Sequence, residues 1–122
     1  MDRWIVMLLL SVAGYTTPSI DDNRPYVIPV EIYHVVKYFP LHEQETAAEV
    51  FWCESRYNPY TVGSSGERSV AQINPVHFNR LGLYSDWYLD YDKVGQAAYD
   101  IWIHQGWQAW SYCYGTVVIS NN

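Results

Sequence analysis

A chain of 122 residues has the length of one domain, and 49% hydrophobic against 16% charged residues is a globular composition that excludes intrinsic disorder. A net charge of −6 with no basic run excludes a nucleic-acid binder, which needs the opposite sign along a phosphate backbone. The 6 Trp, 12 Tyr and 3 Phe exceed what a small core requires, and Trp and Tyr offer flat apolar faces with a polar edge that suit sugar rings.

Met1-Asp2-Arg3, the apolar run at residues 4–10 and Ser11-Val12-Ala13-Gly14 read as a signal peptide over residues 1–14, the run being too short to span a membrane. The expectation is a secreted or periplasmic protein with no stable membrane span after processing. Residues 15–29, with Pro18, Pro25 and Pro29, read as a linker. From Val30 the apolar positions Ile32, Val35, Val36 and Phe39 recur at i, i+3, i+4 and i+7, which predicts a helix opened by Pro29 and stopped by Pro40. A second helix over about 42–55 puts Ala47, Val50, Phe51 and Glu54 on one stripe, and Asn58-Pro59 follows its end.

Gly63-Ser64-Ser65-Gly66 is loop by composition, residues 69–74 are a short apolar piece, strand or extended, and Pro75 opens a helical turn. Residues 82–91 read as loop. A third helix is expected from Asp92, as N-cap, to Gly106, with Val94, Ala97, Ala98, Ile101 and Gln105 along one side. Trp107 and Trp110 read as packing on that helix, and residues 116–122 as a tail that ends polar. The expected fold is mainly α with little strand, a small helical domain over residues 30–115.

Two cysteines, Cys53 and Cys113, in an exported chain predict a disulfide. That pairing leaves Cys53 no thiol to act as a nucleophile. His34, His42, His77 and His104 lack ligand spacing, so no metal and no cofactor are expected. Ser64, Ser65 and Ser69 sit in no G-x-S-x-G elbow, and Arg68 reads as a solvated charge. Glu54 is the anomaly: a carboxylate on the apolar stripe of a helix, in its last turn. Burial and the partial negative charge of a helix C-terminus both disfavour its anion. A carboxyl that holds its proton near neutrality is what a general acid requires.

Cys53-Glu54-Ser55-Arg56-Tyr57-Asn58-Pro59 resembles the E-S-x-x-N-P start of the lysozyme-like superfamily, in its lytic-transglycosylase (SLT-type) domain. That family continues with a small-residue loop and G-L-x-Q-[IL]; here Ser69-Val70-Ala71-Gln72-Ile73-Asn74 follows, with Gln72 18 positions after Glu54. A third piece, Gln96-Ala97-Ala98 leading to Gly106-Trp107 and Trp110-Ser111, completes the order over residues 30–115. The resemblance implies an α+β lysozyme-like fold with a catalytic cleft, acting as a monomer on peptidoglycan or a related N-acetylated glycan. It implies Glu54 as the catalytic acid. For substrate binding it implies Ser55, which also helps hold the helix end, Gln72 beside the cleft, Ser64 (or Ser65) in the loop, and Tyr99 as the cleft tyrosine.

The reaction implied is cleavage of the MurNAc-GlcNAc β-1,4 linkage with one Glu as acid and base. The sugar 6-hydroxyl then gives a 1,6-anhydro end, or water gives a hydrolysed one; the resemblance leans to the first. A second carboxylate would be Glu67, Asp86, Asp90 or Asp92, with Glu67, in the loop, the best placed. The chain departs from the family at Ser69-Val70-Ala71, where a glycine serves close backbone approach, and at Gly95, where an asparagine is frequent. An altered groove is the expectation at Ser69, and the alternative reading is a catalytically inactive, glycan-binding relative.

Overall fold

The computed structural model describes residues 28–121. The signal peptide and nearly all of the linker expected from the sequence lie outside the described residues. Four α-helices carry the described chain: α1 Val30–Val36, α2 Leu41–Ser55, α3 Tyr91–Gln105 and α4 Ser111–Ser120. Between α2 and α3 run turns and two short 3-10 segments, Pro75–His77 and Trp87–Leu89, and a third, Gly106–Trp110, joins α3 to α4. Two isolated antiparallel bridges, Val62 with Arg68 and Arg68 with Ile73, take the place of any strand among the described residues. The protein is a small, mainly helical domain.

The apolar periods read from the sequence face the core. Ile32, Val35, Val36 and Phe39 are buried, as are Ala47, Val50 and Phe51 of α2 and Val94, Ala97, Ala98 and Ile101 of α3. Gln105, placed on the same side of α3, is exposed instead, because it lies in the last turn beyond the packed stretch. α1 packs on α3, and α2 on both α1 and α4. The α1–α3 crossing is set by Gly95: a Cβ there would stand 2.5 Å from the Val35 carbonyl oxygen and 2.8 Å from the Tyr38 ring. A helix-weakening residue is therefore kept where two backbones touch.

Much of the aromatic surplus is core. Trp107 stacks on Phe39 at 5.7 Å and on Tyr114 at 5.5 Å, and its indole N–H donates to Glu43 Oε1 at 3.0 Å. Phe51 meets Trp110 edge to face at 5.8 Å. Such pairs add roughly 0.5–1.5 kcal/mol each beyond the area they bury.

Three local expectations are corrected. The N-cap of α3 is Asp90, whose carboxylate accepts from Lys93 N at 3.1 Å. Asp92 lies in the first turn and instead accepts from Lys37 Nζ at 2.7 Å and from the Tyr38 hydroxyl at 2.9 Å. Residues 69–74 form a turn, not a strand. The expected tail from residue 116 belongs to α4, where Val117 is buried and Asn121 Nδ2 donates back to Glu49 Oε1 of α2 at 2.9 Å.

The disulfide is present. Cys53 in the last turn of α2 joins Cys113 of α4, with Cα atoms 5.7 Å apart and a sequence separation of 60. Closing that loop in the unfolded chain contributes about 4 kcal/mol on the chain-entropy model. A formed disulfide fits an oxidising extracellular or periplasmic compartment. Among the described residues, no helix is long and apolar enough to cross a membrane.

Candidate active site

The site begins where α2 ends. Arg56, at φ 53°, turns the chain into the left-handed region and donates its N–H to the Trp52 carbonyl, and Tyr57 follows at φ 63°. Ser55 sets this exit. Its buried hydroxyl shares one proton between the Phe51 carbonyl at 3.0 Å and the Val70 carbonyl at 2.8 Å, and accepts from Tyr57 N at 3.1 Å. The turn of α2 that carries Glu54 is thereby fastened to residues 69–72.

Those residues form a tight turn. Arg68 and Ile73 exchange backbone hydrogen bonds at 3.1 and 2.9 Å, and Gln72 N donates to the Ser69 carbonyl at 3.1 Å. Ser69 is fully buried at φ +78°, the region that favours glycine, and Gln72 sits at φ +53°. Ser69 thus holds a backbone conformation that glycine adopts most readily although it carries a side chain. The conformation costs roughly 1–2 kcal/mol for an L side chain, and the Ser69 hydroxyl offsets part of that by accepting from Ala71 N at 3.1 Å. Gln72 Nε2 donates to the Thr61 and Ser69 carbonyls at 2.9 and 2.8 Å, so the glutamine ties the turn to the preceding loop.

Between this turn, the loop before it and the start of α4 lies a cavity of about 430 Å³, within the range of small-ligand sites. α2 supplies Glu54, the loop Gly63, Ser64 and Glu67, and the turn Gln72, Ile73, Asn74 and His77. Ile101 comes from α3, and Ala109, Trp110, Ser111 and Tyr112 close the far side. Trp110 is fixed by donating its indole N–H to the Ala71 carbonyl at 2.7 Å, while Tyr112 is 81% exposed at the rim.

The Glu54 carboxyl is half-buried and is pushed up from the ordinary 4.5 to about 7, first by burial and second by the negative charge of Glu67. At neutral pH about half of the molecules therefore hold the proton on Glu54. His77 has its pKa lowered, first by burial and then by Arg80. Arg80 Nη2 stands 3.2 Å from His77 Nδ1, and because a guanidinium only donates, Nδ1 is the acceptor and the ring proton of neutral His77 is on Nε2. Arg80 is held in turn by Asp100 at 2.7 Å.

Glu54, Ser64 and Gln72 are brought together as expected. Ser55 is not: it is buried behind Glu54 and supports the site without facing the cavity. Tyr99 is not either; its ring packs on Phe39 at 5.8 Å and on Trp102 at 6.0 Å. The α3 residue that reaches the cavity is Ile101, about 200° around the helix from Tyr99. Of the four carboxylates considered as a second acid or base, Glu67 alone lines the cavity. Arg68 is not a solvated charge, since its guanidinium lies over the Tyr88 ring at 4.1 Å. His77 and Tyr112 were missed: a lone histidine carries no spacing signal, and the helix that presents Tyr112 was read in part as tail. Among the described residues, no group of three or more His, Cys, Asp or Glu side chains is arranged to hold a metal ion.

Comparisons with protein-family models, with curated proteins and with solved structures return no match for this chain.

Proposed function

We propose that the protein is a secreted peptidoglycan glycosidase that cleaves the MurNAc-GlcNAc β-1,4 linkage with Glu54 as its acid. One observation carries the reading: a half-buried carboxyl on the wall of a sugar-sized cavity, holding its proton to about pH 7. A protonated carboxyl at that place can give its proton to a glycosidic oxygen, so that the C1–O bond breaks with its electron pair on the departing oxygen. The amide oxygen of Gln72, the Ser64 hydroxyl and the Nε2–H of His77 supply neutral polar groups suited to hydroxyl and acetamido groups. Tyr112 at the rim supplies aromatic surface for a ring face. The order of motifs around Glu54, Gln72 and Trp110 agrees with the lysozyme-like resemblance, and the disulfide agrees with export.

The test is fragment release from purified peptidoglycan, read by mass spectrometry, for the wild type and Glu54→Gln. The wild type is expected to release disaccharide-containing fragments, and Glu54→Gln to lose at least about 100-fold in rate while it folds normally. Equal release by both proteins would remove Glu54 from the role. Binding to peptidoglycan without release by either would favour the glycan-binding alternative.

A further inference from the structure

The cavity holds a second carboxylate in a place made for it. Glu67 is anchored at its backbone by Gly63 N, which donates to the Glu67 carbonyl at 2.9 Å, and at its side chain by Ser65 N, which donates to Oε1 at 3.0 Å. The side chain lies directly across Gly63. A Cβ at position 63 would collide with Glu67 Oε1 and would stand 2.9 Å from Gln72 Oε1, so the glycine makes room for the carboxylate. Ser65 occupies one carboxylate oxygen, and Oε2 receives no hydrogen bond from a described residue. Glu54 from α2, Glu67 from the loop, His77 from the 3-10 turn and Tyr112 from α4 are the titratable groups that line this space. Burial and then Arg80 lower the His77 pKa, and Glu54 is raised first by burial and second by the charge of Glu67. The cavity therefore brings together two carboxyls in unlike settings, Glu54 half-buried in the last turn of α2 and Glu67 fixed by Ser65 N with one oxygen open, the arrangement that separate acid and base roles require.

We propose that Glu67 is the catalytic base of the reaction: it takes a proton from the water that adds to the sugar C1, so that the products carry hydrolysed, not 1,6-anhydro, ends. The inference rests on the glycosidase reading of the same cavity. Glu54 gives its proton to the glycosidic oxygen, and the C1–O bond breaks with its electron pair on that oxygen. The water oxygen bonds to C1 and its proton passes to Glu67. Solvent then carries the proton from Glu67 back to Glu54, and one water is consumed for each linkage cut. This departs from the single-carboxylate course favoured by the sequence resemblance, in which the sugar's own 6-hydroxyl attacks and no second carboxylate is used.

The experiment digests purified peptidoglycan with the full chain and measures hydrolysed and anhydro ends by mass spectrometry across pH. The wild type is expected to give hydrolysed ends in at least about tenfold excess. Glu67→Gln keeps an acceptor for Ser65 N and is expected to lose hydrolysed product by about 100-fold or more, the size of a missing general base. The pH at which its residual activity falls is expected to move below the wild-type value, because the negative neighbour of Glu54 is gone. Glu67→Ala, matched to the wild type in thermal unfolding, is expected to recover part of the hydrolysed product when formate is added, a readout that a merely structural role would not move. Anhydro ends predominating in the wild type would overturn the base role and leave Glu54 as the acid. An unchanged rate and product ratio in Glu67→Gln, or no formate rescue of a folded Glu67→Ala, would also overturn it. No release by the wild type would overturn the glycosidase reading beneath it.

Discussion

The Ser55 hydroxyl lies 2.8 Å from the Val70 carbonyl oxygen, and this contact joins the helix end that carries Glu54 to the turn that carries Gln72. The two residues are 15 positions apart and buried, so the bond is a tertiary clamp and not a local cap. It gives Ser55 a structural role at the helix end that carries Glu54.

Ser55→Ala removes this donor and leaves the Val70 carbonyl and Tyr57 N without the serine oxygen. A buried group left unpaired costs roughly 1–3 kcal/mol. Denaturant unfolding is expected to show a loss of that size, and Ser55→Thr, which keeps the hydroxyl, a smaller one. A Ser55→Ala protein as stable as the wild type would mean that the clamp carries no energy.

Ser69 offers a test of backbone strain. At φ +78° and fully buried, the position favours glycine, yet the serine hydroxyl recovers a bond to Ala71 N. Ser69→Gly is therefore expected to be nearly neutral, within about 1 kcal/mol, because relief of strain is set against the lost bond and the greater freedom of an unfolded glycine. Ser69→Val, β-branched and without a hydroxyl, is expected to destabilise by about 3 kcal/mol or more, summed from strain and the unpaired N–H. Thermal unfolding of the two variants side by side measures the difference.

Gly95 reverses the usual helix preference. Alanine raises helix propensity by about 1 kcal/mol in an open helix. Here the added methyl meets the Val35 carbonyl oxygen at 2.5 Å and forces α1 from α3. Gly95→Ala is expected to lower stability by about 1–3 kcal/mol, the range for overpacking. A stabilised Gly95→Ala protein would show that α1 and α3 do not approach as closely as described.

Glu54 makes stability depend on pH in a stated direction. Its pKa is raised by folding from 4.5 to about 7, so the folded state favours the protonated form. That contribution is complete below pH 4.5 and is lost as pH rises through about 7. Glu54→Gln stays neutral throughout. Relative to the wild type it is expected to gain about 1–2 kcal/mol of stability at pH 8, after a discount for the part of the group that water screens, and almost nothing at pH 4. Denaturation curves of both proteins at the two pH values check the sign.

What the sequence discloses follows from which forces act locally. The periods at Ile32, Val35, Val36 and Phe39, and at Ala47, Val50 and Phe51, report burial directly, and the helices they predict are present. Glu54 stood out for the same reason, as a charged residue on an apolar stripe. The start of α3 was displaced by one cap because Asp90 and Asp92 are equally good capping residues and only Asp90 bonds Lys93 N. α4 was concealed by Gly115, Thr116, Val117 and Val118, which are weak helix formers. Tertiary contacts through the Cys113 disulfide and buried Val117 override that preference. With α4 went the rim position of Tyr112. Tyr99 was misassigned because its place on α3 is fixed by Phe39 and Trp102, which the order of motifs does not encode. The tight turn at Ser69 is hidden in the sequence because residue type alone does not reveal a positive φ.

The pH dependence of peptidoglycan cleavage by the intact protein tests the assignment of Glu54 most directly. The initial rate of fragment release is expected to hold on the acid side of neutrality and to fall about tenfold per pH unit above a midpoint near 7, where Glu54 gives up its proton. Glu54→Gln is expected to show no such limb at any pH. A wild-type rate that stays level or rises from pH 7 to pH 9, or a Glu54→Gln protein with the same falling limb, would contradict Glu54 as the acid.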